Sequence, residues 1–284
     1  MGPRSVTAPP HDPPDLGGGM SQDAHNYFDA LLWLWRAGLR YGSVIDLGCA
    51  DGNFSVSLAE NGPSRGSVIL NVDAQNDYRD SLATIQGALG GHFRICAVGE
   101  HDGGSIELQR GEHPYWTSVR PADDRYWASI NGLSAGKPVL VPLRSLDSLI
   151  EETALPGPYL LKLDVQGAEA SILAGARNAL ADTDTVMIEI QVEDFAAIHQ
   201  ELAQNDFVLF DLSHLIFGTS GTLAWFYAIY VKSRHAGLRA AAYWDVAQNR
   251  EVIALQMVHR ETAQNEIWAA LDRHRAGGWP VLPT

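Results

Sequence analysis

Short apolar runs alternate with amphipathic segments along most of this chain. Residues 53–61 and 77–89 space their apolar positions at helical intervals, which predicts two helices. The apolar runs around such segments are SVIDLG (43–48), SVILNVD (67–73), HFRICAVG (92–99), YLLKLDV (159–165) and TVMIEIQ (185–191). Strands that are apolar throughout and alternate with helices predict a parallel sheet covered by helices on both faces.

Two further runs complete the pattern, FVLFDLS (207–213) and LAWFYAIYVKS (223–233), and their short connection predicts an antiparallel hairpin. We expect a small antiparallel insertion at about 104–140, where the alternation is interrupted. Further helices are predicted around 146–152, 168–180 and 195–205. The predicted fold is therefore α/β: a doubly wound, Rossmann-like sheet of seven strands, mostly parallel, with an antiparallel last strand.

The two ends of the chain differ from this centre. Residues 1–22 are rich in proline and glycine, which predicts a disordered tail. A helix is predicted to begin after Asp23 and to end at Gly42, covering one edge of the functional site. We therefore expect a main domain over 23–236 and one or two C-terminal helices within 237–284.

Composition limits the classes of partner. The chain has 284 residues, 46% of them apolar, which is enough for one large core. Its net charge of −14 disfavours nucleic acid and anionic membrane surfaces, and the sequence has no run of about 20 apolar residues that predicts membrane insertion. Two cysteines without disulfide or metal spacing favour the cytoplasm, and self-association to a homo-oligomer stays open.

The block VIDLGCADGNFS (44–55) predicts a strand, a glycine turn and a helix. Gly48 and Gly52 have no Cβ, so main chain and the helix N–H groups can approach a small cofactor. The pattern is DxGxxxG rather than GxGxxG, which argues against a nicotinamide dinucleotide. Asp73 ends the next strand, where a carboxylate can accept both hydroxyls of a ribose. The alternative interpretation is that these are ordinary turns of a doubly wound sheet.

A second block, LLKLDVQGAEASILAGA (160–176), gives the chain a resemblance to class I S-adenosylmethionine-dependent methyltransferases, and more specifically to the FkbM family. That family typically shows Lys, a hydrophobic residue and Asp, followed by Val-Glu-Gly-Ala-Glu. Here the pattern stands as Lys162 to Glu169, preceded by Leu146 and Asp147 and followed by Glu189 on a later strand. The resemblance covers about residues 40–233.

Three positions depart from the family pattern. Cys49 and Ala50 stand where the family usually has Ala-Asn, Asp73 and Ala74 where it has Glu-Pro, and Gln166 where it has Glu. Asp51 is a candidate to replace the missing amide.

The resemblance implies that S-adenosylmethionine lies across the strand ends, with its methionine end near Asp46 to Gly52, its ribose at Asp73 and its adenine near Ala97 to Gly99. The candidate cofactor-binding residues are Asp46, Gly48, Cys49, Asp51, Gly52, Asp73, Ala97 and Val98. The implied reaction is methylation of a hydroxyl on a small molecule or glycan.

Asp164 is the first candidate to position or deprotonate the acceptor, and its alternative role is a helix N-cap. Lys162 is a candidate to lower the pKa of the hydroxyl or to pair with Asp164. His214, placed by the pattern in a loop after a strand, is an alternative base. Glu169 lies in the first turn of a predicted helix, where a negative side chain interacts favourably with the helix dipole.

Other features leave alternatives open. Asp164 and Glu189 end neighbouring strands, so they are candidate ligands for Mg²⁺, although Gln166 and the frequency of capping carboxylates disfavour a metal. Aromatic pairs in the insertion either stack on an acceptor ring or fill a hairpin, namely Tyr115, Trp116, Tyr126 and Trp127. The competing functions are a cofactor-binding module without turnover and a nicotinamide-dependent oxidoreductase. The sequence alone does not distinguish a sugar, a macrolide-like ring, a lipid or a peptide acceptor, nor oxygen from nitrogen.

Overall fold

The computed structural model describes residues 27–111, 117–121, 137–218 and 221–238. The strands are β1 (Ser43–Leu47), β2 (Val68–Asp73), β3 (His92–Ile95), β4 (Ala97–Gly99), β5 (Ser105–Arg110), β6 (Thr117–Ser118), β7 (Pro138–Ser145), β8 (Tyr159–Leu163), β9 (Thr183–Gln191), β10 (Phe207–Phe217) and β11 (Leu223–Lys232). The α-helices are α1 (Tyr27–Arg36), α2 (Asn53–Asn61), α3 (Arg79–Leu89), α4 (Leu146–Thr153), α5 (Glu169–Gly175), α6 (Arg177–Ala181) and α7 (Phe195–Gln204).

Seven of these strands form one sheet in the order β10-β11-β9-β8-β1-β2-β3. The pairs β2–β3, β1–β2, β1–β8 and β8–β9 are parallel, whereas β11 runs antiparallel to both β9 and β10. This confirms the predicted seven-stranded sheet with an antiparallel last strand. The carboxyl ends of β1, β2, β8 and β9 meet along one edge, which we call the rim.

The apolar strands are buried on both faces because successive side chains alternate between two helical layers. Ile45 and Leu161 pack in the core formed with α4 to α7. Val44 and Leu160, one position earlier, pack in the core formed with α1 and α2. The continuous apolar runs therefore reflect a sheet with helices on each side.

The antiparallel insertion forms a second, smaller sheet in the order β4-β7-β5-β6. β5 and β7 pair antiparallel, as predicted, with Ile106 opposite Val141. The run HFRICAVG, predicted as one strand, divides at Cys96, and that prediction is wrong in this respect. The Cys96 N–H donates to the Asp73 carbonyl at 3.0 Å, and the chain then leaves the main sheet so that β4 pairs with β7.

Other boundaries also differ from the sequence predictions. α1 ends at Arg36 rather than at Gly42, because Gly38 adopts a left-handed φ of 107° that stops the helix. The helix predicted over 168–180 is two helices separated at Ala176. β10 continues to Phe217, four residues beyond the predicted strand.

Some predictions fall outside the described residues. These are the tail at 1–22, the four insertion aromatics and the C-terminal helices beyond 238. Among the described helices, none has the length and apolar composition needed to cross a membrane.

A pair of helical glycines tests the packing of α5. A Cβ on Gly175 would overlap the backbone of Glu100, whereas one on Gly87 of α3 meets nothing within 4 Å. We expect Gly175→Ala to lower the free energy of unfolding by roughly 1–3 kcal/mol, the usual cost of overpacking. The matched Gly87→Ala should raise it by about 0.5–1 kcal/mol, because alanine favours a helix. Urea denaturation measures both, and equal effects would show that α5 does not pack as described.

Candidate active site

A cavity of about 300 Å³ opens at the rim. On the side of β1, β2 and β4 it is lined by Gly48, Ala50, Asp73, Ala74, Ala97 and Val98. On the side of β8, β9 and β11 it is lined by Asp164, Gln166, Glu189, Gln191, Trp225 and Tyr227. The cavity therefore brings together residues from both sequence blocks.

The glycine turn after β1 packs against protein main chain. Gly48 has a φ of 71°, and a Cβ there would overlap the carbonyl group of Asp164. Gly52 has a φ of 85° and lies against Ile85 of α3. Of this turn, Gly48 and Ala50 line the cavity, but the first residues of α2 do not. Gly48 thus lets β1 and β8 approach each other, and Gly52 lets the turn pack on α3; neither role was predicted from the sequence.

Asp46 and Lys162 form a buried ion pair behind this turn. Lys162 Nζ lies 2.8 Å from Asp46 Oδ1, donates to the Gly48 carbonyl at 3.1 Å and lies 3.6 Å from Asp164 Oδ2. Burial alone would lower the pKa of Lys162, but the carboxylates of Asp46 and Asp164 outweigh it and raise the pKa. Neither Asp46 nor Lys162 lines the cavity. Lys162 therefore pairs most closely with Asp46, and it affects the cavity only through Gly48 and Asp164.

Asp73 lies in the cavity wall at the end of β2. Its Oδ2 accepts from the Ala50 N–H at 2.9 Å, and its Oδ1 accepts from the Gln75 N–H at 2.8 Å. Burial raises the pKa of Asp73 to about 6, although these backbone bonds oppose the shift. Each oxygen keeps a further lone pair for a ligand hydroxyl.

Only some of the other candidate cofactor-binding residues line the cavity. Ala97 and Val98 line the cavity on β4. Cys49 is buried beside α3, and burial raises the pKa of its thiol. The Asp51 carboxylate accepts from the Asn53 side chain at 2.8 Å and does not line the cavity. The structure thus brings Ala97 and Val98 to the site and leaves Cys49 and Asp51 outside its wall.

Asp164 faces the cavity at the end of β8 and does not cap the following helix. Its Oδ2 accepts from the Tyr227 hydroxyl at 2.8 Å, and its Oδ1 accepts from Gln166 Nε2 at 2.9 Å. The same Gln166 nitrogen donates to Glu189 Oε2 at 2.6 Å. One amide therefore bridges two carboxyl groups.

Glu169 holds the loop between β8 and α5. Its two carboxylate oxygens accept from the N–H groups of Val165 at 3.1 Å and Gly167 at 2.9 Å. Burial raises the pKa of Glu169 to about 7. Ser118 of β6 donates its hydroxyl to the Gln166 carbonyl, so the second sheet also supports this loop. The side-chain carboxylate of Glu169, in the first turn of α5, thus fixes the loop that carries Gln166.

His214 lies within β10 and not in a loop after it, because the strand continues to Phe217. Its φ of 49° marks an irregular part of the pairing with β11. Its ring centroid is 4.7 Å from that of Tyr27 and 5.6 Å from that of Tyr227. His214 therefore stands behind Tyr227 and is not a cavity-lining residue.

The metal hypothesis concerned Asp164 and Glu189. Both line the cavity, with the Gln166 amide between them. Burial and the neighbouring carboxylate of Asp164 raise the pKa of Glu189 well above its ordinary value. Within the part of the chain that the structure describes, no group of three or more His, Cys, Asp or Glu side chains is arranged to hold a metal ion.

Gln191, Trp225 and Tyr227 are among the cavity residues that the sequence did not predict. The sequence does contain a pattern that indicates Gln191, because Glu189 and Gln191 alternate with Ile188 and Ile190 along β9. Such alternation places both polar side chains on one face. The aromatic residues gave no signal, since they belong to a nearly continuous apolar run.

The model of the methyltransferase FkbM domain matches residues 46–209. A methyltransferase FkbM from Methylobacillus flagellatus KT is 17% identical with a TM-score of 0.43, and the match covers 68% of this chain and 45% of that one. The chain thus spans less than half of that protein's length. No curated protein matches the chain significantly.

Two further structures are more distant. A candidate tRNA (m1A22) methyltransferase from Streptococcus pneumoniae is 11% identical with a TM-score of 0.41, covering 90% of each chain. The O-methyltransferase TomG from Streptomyces achromogenes is 13% identical with a TM-score of 0.37, covering 71% of this chain and 78% of that one. The family match over 46–209 is the informative comparison.

The raised pKa of Asp73 predicts a pH dependence of stability. Between the unfolded pKa near 4 and the folded pKa of about 6, the folded state binds a proton that the unfolded state has released, so stability falls as pH rises. The contribution of Asp73 should fall by roughly 2–3 kcal/mol over this window. Chemical denaturation of the wild type and Asp73→Asn at pH 4, 5, 6 and 7 measures it as a difference. A difference that stays constant with pH would contradict the buried placement of Asp73.

Proposed function

This chain belongs to the FkbM methyltransferase family, and we propose that it transfers the methyl group of S-adenosylmethionine to a hydroxyl of a small molecule or glycan. One observation carries the proposal: a single cavity holds Asp73 on the side of β1 and β2 and Asp164 on the side of β8 and β9. The first can bind a ribose, and the second can receive a proton. Family membership and this arrangement together support methyl transfer.

The residues present fit the cofactor. A volume of about 300 Å³ is at the lower end of small-molecule pockets. Asp73 would accept the ribose hydroxyls, the apolar Ala97 and Val98 would contact the adenine, and Gly48 and Ala50 would lie at the methionine end. The charged side chains among the described lining residues are all acidic, which complements a sulfonium cation. When bound, S-adenosylmethionine supplies an electrophilic methyl group.

Asp164 is held ready to orient the acceptor. Tyr227 and Gln166 each donate a hydrogen bond to one of its oxygens, and Lys162 lies 3.6 Å away. The bound cofactor would supply the methyl carbon to which the acceptor oxygen bonds, and the electron pair of the broken carbon–sulfur bond would stay on sulfur. The hydroxyl proton passes to Asp164. Positioning the two reacting atoms about 3–3.5 Å apart is the larger part of the task.

Two alternatives have different expectations. A binding module without turnover is motivated by Ala50 and Gln166, where the chain departs from the family pattern. It would bind the cofactor but methylate no acceptor. A nicotinamide-dependent oxidoreductase is disfavoured because the GxGxxG pattern is missing.

We also propose a small-molecule or glycan partner in the cytoplasm. The free cysteines Cys49 and Cys96 are both buried as thiols, which suits a reducing compartment. The net charge of −14 opposes binding to a phosphate backbone.

Calorimetry tests the cofactor assignment. We expect heat from S-adenosylmethionine and S-adenosylhomocysteine and none from NAD or NADP. Asp73→Asn should weaken S-adenosylhomocysteine binding by about 10- to 100-fold, because a hydrogen bond to a charged group contributes about 1.5–3 kcal/mol. Asp80→Asn, an exposed acidic residue of α3, is the matched control and should bind as the wild type does. Wild-type protein that gives no heat with either sulfur compound would refute the proposed function.

Turnover tests Asp164. Asp164→Asn keeps the shape of the side chain, so S-adenosylhomocysteine binding should stay within about twofold of wild type, since the fold and the ribose site are unchanged. Methyl transfer should slow by about 10²- to 10⁴-fold, the usual contribution of a general base. The readout is tritium transfer from labelled S-adenosylmethionine to an active acceptor. Full turnover by this variant would show that Asp164 neither positions nor deprotonates the acceptor.

A further inference from the structure

Two cross-strand pairs form a patch on one side of the cavity. Glu189 lies opposite Tyr227, and Gln191 lies opposite Trp225, in the antiparallel pairing of β9 with β11. Residues two apart on a strand share a face, so all four side chains project from the same face of the sheet. All four line the cavity. We call them the β9–β11 patch.

The composition of this patch is unusual for its place in the sheet. On the same face, the next pair towards the interior is Met187 and Ile229, which are fully or almost fully buried in the apolar core. A carboxyl and an amide on a central strand are costly unless they bind something polar. Among the described residues Glu189 accepts one hydrogen bond, from Gln166, and this leaves acceptor positions open on its carboxyl group.

Sheet order separates the patch from the cofactor end of the cavity. Asp73 ends β2, and two strands, β1 and β8, lie between β2 and β9. A cofactor whose ribose is bound at Asp73 therefore leaves the β9–β11 side for the second substrate. Asp164, at the end of β8, lies between the two halves and is bonded to Tyr227 of the patch.

The charge of the cavity limits what this second substrate can be. The described lining residues include Asp73, Asp164 and Glu189 but no Lys, Arg or His. Lys162 is buried behind the wall and engaged by Asp46 at 2.8 Å. A phosphate or carboxylate in the patch would lie beside Asp164 and Glu189, and no cationic side chain among the described lining residues would pair with it, a juxtaposition that disfavours binding.

We propose that the β9–β11 patch is the acceptor subsite and that it selects an uncharged, hydroxyl-bearing ring while excluding anionic acceptors. Glu189 and Gln191 bind ring hydroxyls, and the flat side chains of Trp225 and Tyr227 pack on the apolar face of the ring. The ring hydroxyl next to Asp164 is the one that is methylated. This subsite rests on the proposed methyl-transfer function and specifies its substrate class.

The experiment uses methyl hexopyranosides, each paired with its uronic acid and its phosphate ester. Tritium transfer from labelled S-adenosylmethionine is measured for the whole chain of 284 residues. We expect transfer to at least one uncharged glycoside, with kcat/KM at least about tenfold above that of its anionic counterparts, because like charges repel in the patch. Equal or faster transfer to the anionic members would overturn the proposal. So would transfer to none of the glycosides by protein that gives normal cofactor heat in calorimetry.

Variants separate charge selection from a structural role. Gln191→Lys adds a cation to the patch. Because its ammonium group can pair with an anionic acceptor, we expect the ratio of kcat/KM for uncharged over anionic acceptors to fall by about tenfold or more. Glu189→Gln replaces an ionisable acid of the patch with a neutral amide and should narrow the preference as well, whereas Glu60→Gln, exposed on α2, should leave it unchanged. A preference unaffected by both patch variants would contradict the assignment. Absence of cofactor heat from the wild-type protein, in contrast, would refute the proposed function itself and not only the subsite.

Discussion

The buried ion pair between Asp46 and Lys162 is the interaction on which the site depends. The two residues are register partners on β1 and β8, and Asp46 is fully buried. The centre of a sheet covered on both faces gives neither charge access to water, so removing one partner typically costs about 3–5 kcal/mol. Because the pair joins the ends of β1 and β8, it fixes the spacing of Gly48 and Asp164, which follow these strands and line the cavity.

Lys162 also determines which of the two nearby carboxylates, Asp46 or Asp164, is paired closely with a cation. Its ammonium group lies against one Asp46 oxygen and the Gly48 carbonyl, and its distance to Asp164 is longer, at 3.6 Å. Asp46 is thereby neutralised away from the cavity. Asp164 takes its remaining support from Tyr227 and Gln166, which are neutral donors. The cavity wall consequently keeps a net negative character that a sulfonium cation would balance.

Sequence patterns predicted the parts of this arrangement that depend on strand order. Apolar runs ending in Asp73 and Asp164 indicated two parallel strands whose ends meet at the rim, and both residues line the cavity. The pattern could not show that β11 lies between β9 and β10, because a hairpin prediction fixes only one of its two neighbours. The apolar run therefore predicts Trp225 and Tyr227 only as residues of a buried strand. The role of Gly48 was also hidden, since the contact that excludes a Cβ comes from Asp164, more than a hundred positions away.

Gln166 shows how a departure from the family pattern agrees with the rest of the site. A glutamate there would bring a third carboxylate within hydrogen-bond distance of Asp164 and Glu189, and like charges in a half-buried site disfavour ionisation. The amide instead donates to both. Gln166 and Gly167 both have positive φ values, 56° and 108°, so the loop makes a strained turn that brings this amide between the two acids. Glu169 and Ser118 hold the same loop through its main chain. Asp164 and Glu189 are thus held by neutral hydrogen-bond donors, Gln166 and Tyr227, which leaves the acidic wall without a cationic partner among the described residues at the cavity surface.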